Sequence, residues 1–100
     1  MNENPDYLEH LFATAEAFLC AIRSGEGYQE HLFQDLCAAI YTCGTIWRES
    51  DSIPKRAANL FVDLASGIES SSYAYTNAHS MEAIQKAADI IGALVREAVT

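Results

Sequence analysis

The chain has 100 residues, of which 50% are apolar and 20% are charged, and its formal net charge at pH 7 is −8. This composition excludes an intrinsically disordered chain and a collagen-like or repeat array, and the length allows a single domain with a hydrophobic core. No stretch approaches the roughly 18–20 uncharged apolar residues of a membrane-spanning helix, so the sequence predicts no membrane association.

Four segments with helical periodicity follow one another along the chain. They are separated by Gly25 and Gly27, by Pro54 and by a polar stretch over residues 70–80. Within each segment the apolar residues recur every three or four positions, which is typical of an amphipathic helix. Asp51 or Ser52 is the predicted N-cap of the third helix, and Ser80 that of the fourth. We therefore predict helices over approximately 6–24, 28–49, 53–72 and 80–99.

The spacing and the short connections together predict the fold. Four helices of about twenty residues joined by short loops favour an all-α, antiparallel four-helix bundle that runs up-down-up-down. The regular 3-4 spacing favours shallow crossing angles between the helices. Residues 1–100 are expected to form one helical domain.

The histidines do not have the spacing of a metal site. His10 and His31 each follow a glutamate directly, so the two side chains of each pair diverge by about 100° on a helix. One cluster is compatible with the topology, formed by His31, His79 and Cys20, but we favour exposed histidines and a core thiol. We predict no metal and no cofactor, and without a nucleophile motif or a phosphate loop we predict no catalytic residues and no enzyme.

The cysteines bear on the cellular compartment of the protein, and the distribution of the basic residues bears on nucleic-acid binding. Cys20, Cys37 and Cys43 are odd in number and have apolar neighbours, as expected for reduced thiols in a cytoplasmic protein. The six basic residues are scattered over all four predicted helices rather than forming a stripe. The sequence therefore predicts no direct binding of nucleic acid.

The acidic residues are concentrated in the first half of the chain. Residues 1–50 contain eight acidic and two basic residues, whereas residues 51–100 contain six and four. The first two helices are thus the electronegative part, which either keeps the protein soluble or faces a basic protein partner. For the second case, the predicted partner-binding residues are Glu9, Glu16, Glu26, Glu30 and an outward-facing aromatic anchor, Tyr41.

A second surface feature favours self-association. Ala13, Ala17 and Ala21 form a row of small residues on the first helix, and the fourth helix is apolar around about half of its circumference. If both faces are exposed, they can pair about a two-fold axis to give a homodimer. The alternatives are that alanine is simply a good helix former and that the fourth helix lies centrally in the bundle.

These observations favour a small, acidic, cytoplasmic interaction protein without catalysis, of the inhibitor, immunity or adaptor type. Its expected partner is a protein with a basic surface. One alternative is a bundle that binds a small molecule or a metal, with or without enzyme activity, around a cavity formed by Tyr7, Tyr28, Trp47 and Tyr75. Another alternative is a purely structural homo-oligomer.

Overall fold

Four α-helices make up most of the computed structural model, which describes residues 6–100. Each helix begins and ends within two residues of its predicted bounds. They are α1 (Asp6–Arg23), α2 (Glu30–Ser50), α3 (Lys55–Ser72) and α4 (Ala78–Ala98). In the described part of the chain, none of these helices is both long and apolar enough to cross a lipid bilayer.

Two of the predicted helix caps, Asp51 and Ser80, are wrong. Asp51 does not begin α3 but ends α2, in the left-handed conformation (φ 59°), and its backbone N–H donates to the Trp47 carbonyl at 2.8 Å. The residue before α4 is Asn77, whose side-chain oxygen accepts from the backbone N–H of Ser80 at 3.0 Å. The predicted cap Ser80 therefore lies inside the first turn, because an asparagine three residues earlier already satisfies its free N–H group.

The predicted up-down-up-down arrangement is confirmed, and the structure adds the order of the helices around the bundle. Helix α1 packs against α2 and α3, and α4 packs against the same two helices. The diagonal pairs α1–α4 and α2–α3 have no Cα atoms within 8 Å of each other. The bundle is therefore built from two antiparallel hairpins, α1–α2 and α3–α4, which are packed side by side.

The predicted apolar arcs form the core between the hairpins. The largest side chains that are fully buried come from all four helices. The apolar ones are Leu11, Phe18, Ile22, Leu36, Ile40, Cys43, Ile68, Ile84 and Ile91. Full burial of one large aliphatic or aromatic side chain stabilises the folded state by roughly 1.5–3 kcal/mol. Ile46, an apolar residue of α2, is nevertheless 37% exposed because it points about 100° away from its buried neighbour Trp47.

Two contacts join the hairpins closely. At Gly44 the α2 backbone approaches α4, and a Cβ atom placed there would lie 3.0 Å from Cα of Ala98. At the other end of the bundle, the Tyr75 hydroxyl donates to the Ile22 carbonyl and accepts from the Gly27 N–H at 3.0 Å. The second contact links the α3–α4 loop to the α1–α2 loop.

Candidate functional site

Two surface cavities lie on the outer side of the α1–α2 hairpin. The larger one, of about 460 Å³, lies where the end of α1 meets the start of α2. Its lining residues are Ala17, Cys20, Ala21, Arg23, Ser24, Glu26 and Leu32, and we call this cavity the α1–α2 groove. A smaller cavity of about 90 Å³ lies further along the same pair of helices and is lined by Tyr7, His10, Ala38, Ala39 and Thr42.

On the α1 side, the larger cavity is lined mainly by small side chains. Residues 10, 17, 21 and 24 are spaced by seven, four and three positions, so they follow one line on α1. From His10 to Ser24 this line spans about 21 Å at the helical rise of about 1.5 Å per residue. Thr14 lies on the same line, and its hydroxyl donates to the carbonyl oxygens of His10 and Leu11, both at 2.9 Å. The α1 wall thus combines small residues with a hydroxyl that is already satisfied within its own helix.

The groove is lined by charged side chains of both signs. Glu26 and Arg23 both line it, whereas Glu16 is exposed on the outer side of α1 without lining it. Asp35 is exposed three residues after Leu32 and three before Ala38, which places it on the side of α2 that contains both residues. The excess of negative charge therefore belongs to the exposed surface of the first hairpin rather than to the lining of the groove.

The two basic residues of the first hairpin reach toward the second. Arg23 lines the groove, but a nitrogen of its guanidinium lies 3.9 Å from the position of a Cβ atom on Gly67 of α3. Arg48 lines a cleft together with Leu94 and Ala98 of α4. Arg48 is therefore directed away from the α1–α2 groove, whereas Arg23 lines the groove and also approaches α3.

The five predicted partner-binding residues are all exposed but do not share one surface. Glu9, Glu16 and Glu26 lie on the outer side of α1 and in the loop that follows it. Tyr41 is 65% exposed and lines a small cleft against Leu94 of α4, on another side of α2. The predicted anchor is therefore separated from the groove by the width of α2.

Glu30 lies on the Tyr41 side of α2 and is held in place by two neighbours. Its carboxylate accepts from the Tyr28 hydroxyl at 2.6 Å and from the Gln34 side-chain amide at 2.6 Å. These hydrogen bonds lower the pKa of Glu30, with the tyrosine contributing most. Burial, together with the Glu30 carboxylate, raises the pKa of Tyr28. The Glu30 carboxylate is therefore ionised at neutral pH and hydrogen-bonded within its own hairpin.

The predicted self-association row is only partly accessible. Ala13 is exposed and Ala17 is half-buried, but Ala21 is only 5% exposed. Ala21 is covered because the chain folds back after α1, where the Glu26 N–H donates to the Ala21 carbonyl at 2.9 Å. On α4, Ile90 is 40% exposed whereas Ala87 is buried. Ala17 and Ala21 are thus walls of the α1–α2 groove, where they meet Glu26.

The aromatic residues of the ligand-binding alternative lie at opposite ends of the bundle. The Trp47 indole N–H donates to the Tyr7 hydroxyl at 3.0 Å at one end. Tyr75 joins the loops at the other end, next to Tyr28, whose ring packs edge-on against Phe18. These four side chains therefore do not enclose a common cavity.

The residues considered for a metal site or a thiolate are also dispersed. Within residues 6–100, no three His, Cys, Asp or Glu side chains are grouped so that they could hold a metal ion. Burial raises the pKa of the Cys43 thiol to about 11, and burial also raises that of Cys37. Both thiols are therefore protonated at neutral pH.

Sequence reasoning missed part of the groove. Leu32, Ser24 and Asp35 were not singled out, although their spacing in the sequence puts Leu32 and Asp35 on one side of α2. The sequence does not show that this side of α2 lies next to α1. Comparisons of this chain with protein-family models, with curated proteins and with solved structures gave no match.

Proposed function

We propose that this protein is a non-catalytic, cytoplasmic interaction protein of the inhibitor, immunity or adaptor type, which binds a basic protein surface through its α1–α2 hairpin. One observation carries the proposal. The hairpin with the excess of acidic residues also carries the open cavity of about 460 Å³, and Glu16, Glu26 and Asp35 are exposed on this hairpin. Electronegative charge around an open, partly apolar surface favours recognition of a cationic partner.

The hydrogen bonds made by the tyrosine and tryptophan side chains favour a binding role over a catalytic one. The hydroxyl groups of Tyr7 and Tyr75 and the indole of Trp47 are engaged in hydrogen bonds that tie helices and loops together. The hydroxyl of Tyr28 is bonded to Glu30. These groups act as structural supports, which leaves the outer acidic surface as the best candidate for function.

The test is capture of the partner followed by kinetics. The wild-type chain and a variant with Glu9, Glu16 and Glu26 changed to Lys are used to capture proteins from cells that produce the protein. The captured partner is purified, and its association rate with each form is measured from about 0.05 M to about 0.5 M salt. We expect the rate to fall steeply with salt and to fall about tenfold or more on charge reversal.

A control variant separates local from overall charge. Reversing Asp63, Glu69 and Asp89, which are exposed on the second hairpin, changes the net charge by the same amount. This control is expected to slow association much less than the groove variant. An association rate that does not depend on salt, or equal effects of the two variants, would contradict the proposal.

A further inference from the structure

We propose that the outer surface shared by α2 and α4 binds a second copy of this chain, with the helices of the two copies running in opposite directions. This surface, which we call the α2–α4 face, lies away from the α1–α2 groove. The inference therefore goes beyond the proposed function and does not depend on it. It is carried by an exposed apolar centre and by charges of opposite sign at the two ends of each helix.

The centre of the α2–α4 face exposes large apolar side chains from both helices. Tyr41 and Ile90 are exposed, and Leu94 is half-buried. Tyr41 and Leu94 line the same cleft, and Ile90 lies one turn before Leu94 on α4. Adjoining apolar side chains with charged residues around them are typical of an interaction surface.

Residues of opposite charge lie toward the two ends of this face. On α2, Glu30 is the first residue and Arg48 lies 18 positions later, which is about five full turns and about 27 Å along the same side. On α4, Lys86 lies one turn before Ile90, and Glu97 lies three positions after Leu94. All four charged residues are exposed, and Arg48 and Glu97 line the cleft beside Tyr41. These four charges balance one another, whereas the whole chain has a net charge of −8.

An antiparallel arrangement of two copies brings the unlike charges together. A two-fold axis that lies in the plane of the face, perpendicular to the helices, places α2 against α2 and α4 against α4. Glu30 of one copy then meets Arg48 of the other, and Lys86 meets Glu97. The Glu30 carboxylate is exposed and already held by two hydrogen bonds, so it loses little freedom on pairing. The positive ends of the helix dipoles also come close to the negative ends.

One axis fits the charges of both helices. The midpoint between the α2 charges is residue 39, and the midpoint between the α4 charges lies between residues 91 and 92. Because α2 and α4 run in the same direction and Gly44 lies beside Ala98, residue 39 is level with about residue 93. The two midpoints therefore differ in height by less than about 3 Å. Tyr41 lies about 3 Å from the axis along α2, so the tyrosines of the two copies come near each other.

The size of the α2–α4 face predicts a weak dimer. Two neighbouring helices are about 20 Å wide, and the α2 charges are about 27 Å apart, so each copy contributes roughly 540 Å². The total of roughly 1,100 Å² is near the lower limit for a specific interface. We therefore expect the dimer to dissociate in the micromolar range.

The test measures the monomer–dimer equilibrium of the purified protein by sedimentation equilibrium from about 5 to about 500 μM. Tyr41→Glu places a charge at the centre of the face and is expected to raise the dissociation constant about tenfold or more. Tyr73→Glu is the matched control, because Tyr73 is as exposed as Tyr41 but lies at the end of α3. Circular dichroism shows that each variant keeps its helices.

Paired charge reversals test the antiparallel arrangement. Lys86→Glu alone and Glu97→Lys alone each bring like charges together at two places in the dimer, so each is expected to weaken it about tenfold. In a mixture of these two variants, the new glutamate meets the new lysine and both contacts are restored. We expect the mixed dimer to regain most of the wild-type affinity, although both variants keep a negative net charge. Lys55→Glu and Asp63→Lys are matched changes at exposed positions of α3 and should not alter association, alone or mixed.

The possible results either support or overturn the inference. A dimer that Tyr41→Glu weakens and that the mixed variants restore supports it. A chain that stays monomeric up to about 500 μM overturns it, because the face then binds another partner or none. Equal effects of Tyr41→Glu and Tyr73→Glu, or no recovery in the mixture, also overturn it. None of these results decides the proposed function, which has its own variants on the α1–α2 hairpin.

Discussion

The two hairpins of this bundle have similar shapes and different chemistry. Each consists of two antiparallel helices, and each has an outer groove whose walls include alanine. The first hairpin is rich in acidic residues, and the two arginines in its half of the chain reach toward α3 and α4. The second has nearly balanced charges, with Arg96 inside its groove. The two hairpins therefore differ in net charge, which is −6 for residues 1–50 and −2 for residues 51–100, more than in shape.

The largest expected effect is a difference in thiol labelling rates. Labelling reports on the first hairpin alone, because all three cysteines belong to it. Cys20, which was predicted to be a core thiol, is instead exposed in the α1–α2 groove, whereas Cys37 is half-buried and Cys43 is fully buried. Since only the thiolate reacts and the pKa of Cys43 is about 11, we expect Cys43 to react at least about 100-fold more slowly than Cys20 near pH 8. Mass spectrometry of the alkylated protein measures the three labelling rates, which we expect to decrease in the order Cys20, Cys37, Cys43.

The control for this labelling is the unfolded chain. In denaturant the three rates should converge, because burial no longer raises the pKa of the inner thiols. Fast labelling of Cys43 in the native protein would contradict the described core.

Glycine-to-alanine changes test how closely the hairpins meet. In Gly44→Ala the new Cβ lies 3.0 Å from Cα of Ala98, a backbone atom that cannot rotate away. We expect the free energy of unfolding to fall by about 1–3 kcal/mol in urea titrations.

Gly92→Ala is the matched change within the second hairpin. Its new Cβ would meet Cβ of Ala65 at 3.6 Å, which is an ordinary contact. Alanine favours the helix by about 0.5–1 kcal/mol over glycine, so this variant should be as stable as the wild type or slightly more stable. Equal losses in both variants would mean that α2 and α4 are not especially close at Gly44.

Removing the Tyr75 hydroxyl tests the hydrogen bonds that link the loops of the two hairpins. Tyr75→Phe leaves the Ile22 carbonyl and the Gly27 N–H without their shared partner. Because these groups are only partly buried, water can replace some of the loss, and we expect a destabilisation of about 1 kcal/mol. Tyr73→Phe is the control, since Tyr73 is 65% exposed and its change should stay within about 0.5 kcal/mol.

The smallest expected effect concerns the carboxylate of Glu30. Tyr28→Phe removes the hydrogen bond that contributes most to its lowered pKa, so the pKa of Glu30 should rise toward its usual value. A carboxyl group with a lowered folded-state pKa stabilises the fold fully above its unfolded-state pKa, and this contribution is lost as pH falls through the folded-state pKa. NMR titration of the side chain measures the shift, and Gln34→Ala should produce a smaller one.

The sequence was sufficient to predict the helices and most of the core. Apolar residues at three- and four-residue spacing identify the inner face of each helix, and Leu11, Ile40, Ile68 and Ile91 are buried as this periodicity predicts. Gly25, Gly27 and Pro54 also marked two of the three loops, and the polar stretch over residues 70–80 contains the third. These features are local, so they can be derived from neighbours along the chain.

The groove could not be predicted in the same way, because it depends on which helices are neighbours. Periodicity shows that Ala21 and Tyr41 lie away from the centre of the apolar arc, but not that one faces α2 and the other α4. Ala21 lies beside the turn after α1, and Tyr41 lies beside Leu94 of α4. A helical wheel contains no information about either neighbour.

The segment over residues 51–54 has a consequence for assembly. It is the covalent link between the two hairpins, and α2 and α3, which it joins, have no Cα atoms within 8 Å of each other. If the chain opened at this segment, each hairpin could pair with the complementary hairpin of another chain and reproduce the contacts of the closed molecule. Domain swapping of this kind gives dimers without any new interface. Shortening the segment by two residues should therefore favour a swapped dimer in size-exclusion chromatography, with one α1–α2 hairpin in each of its two halves.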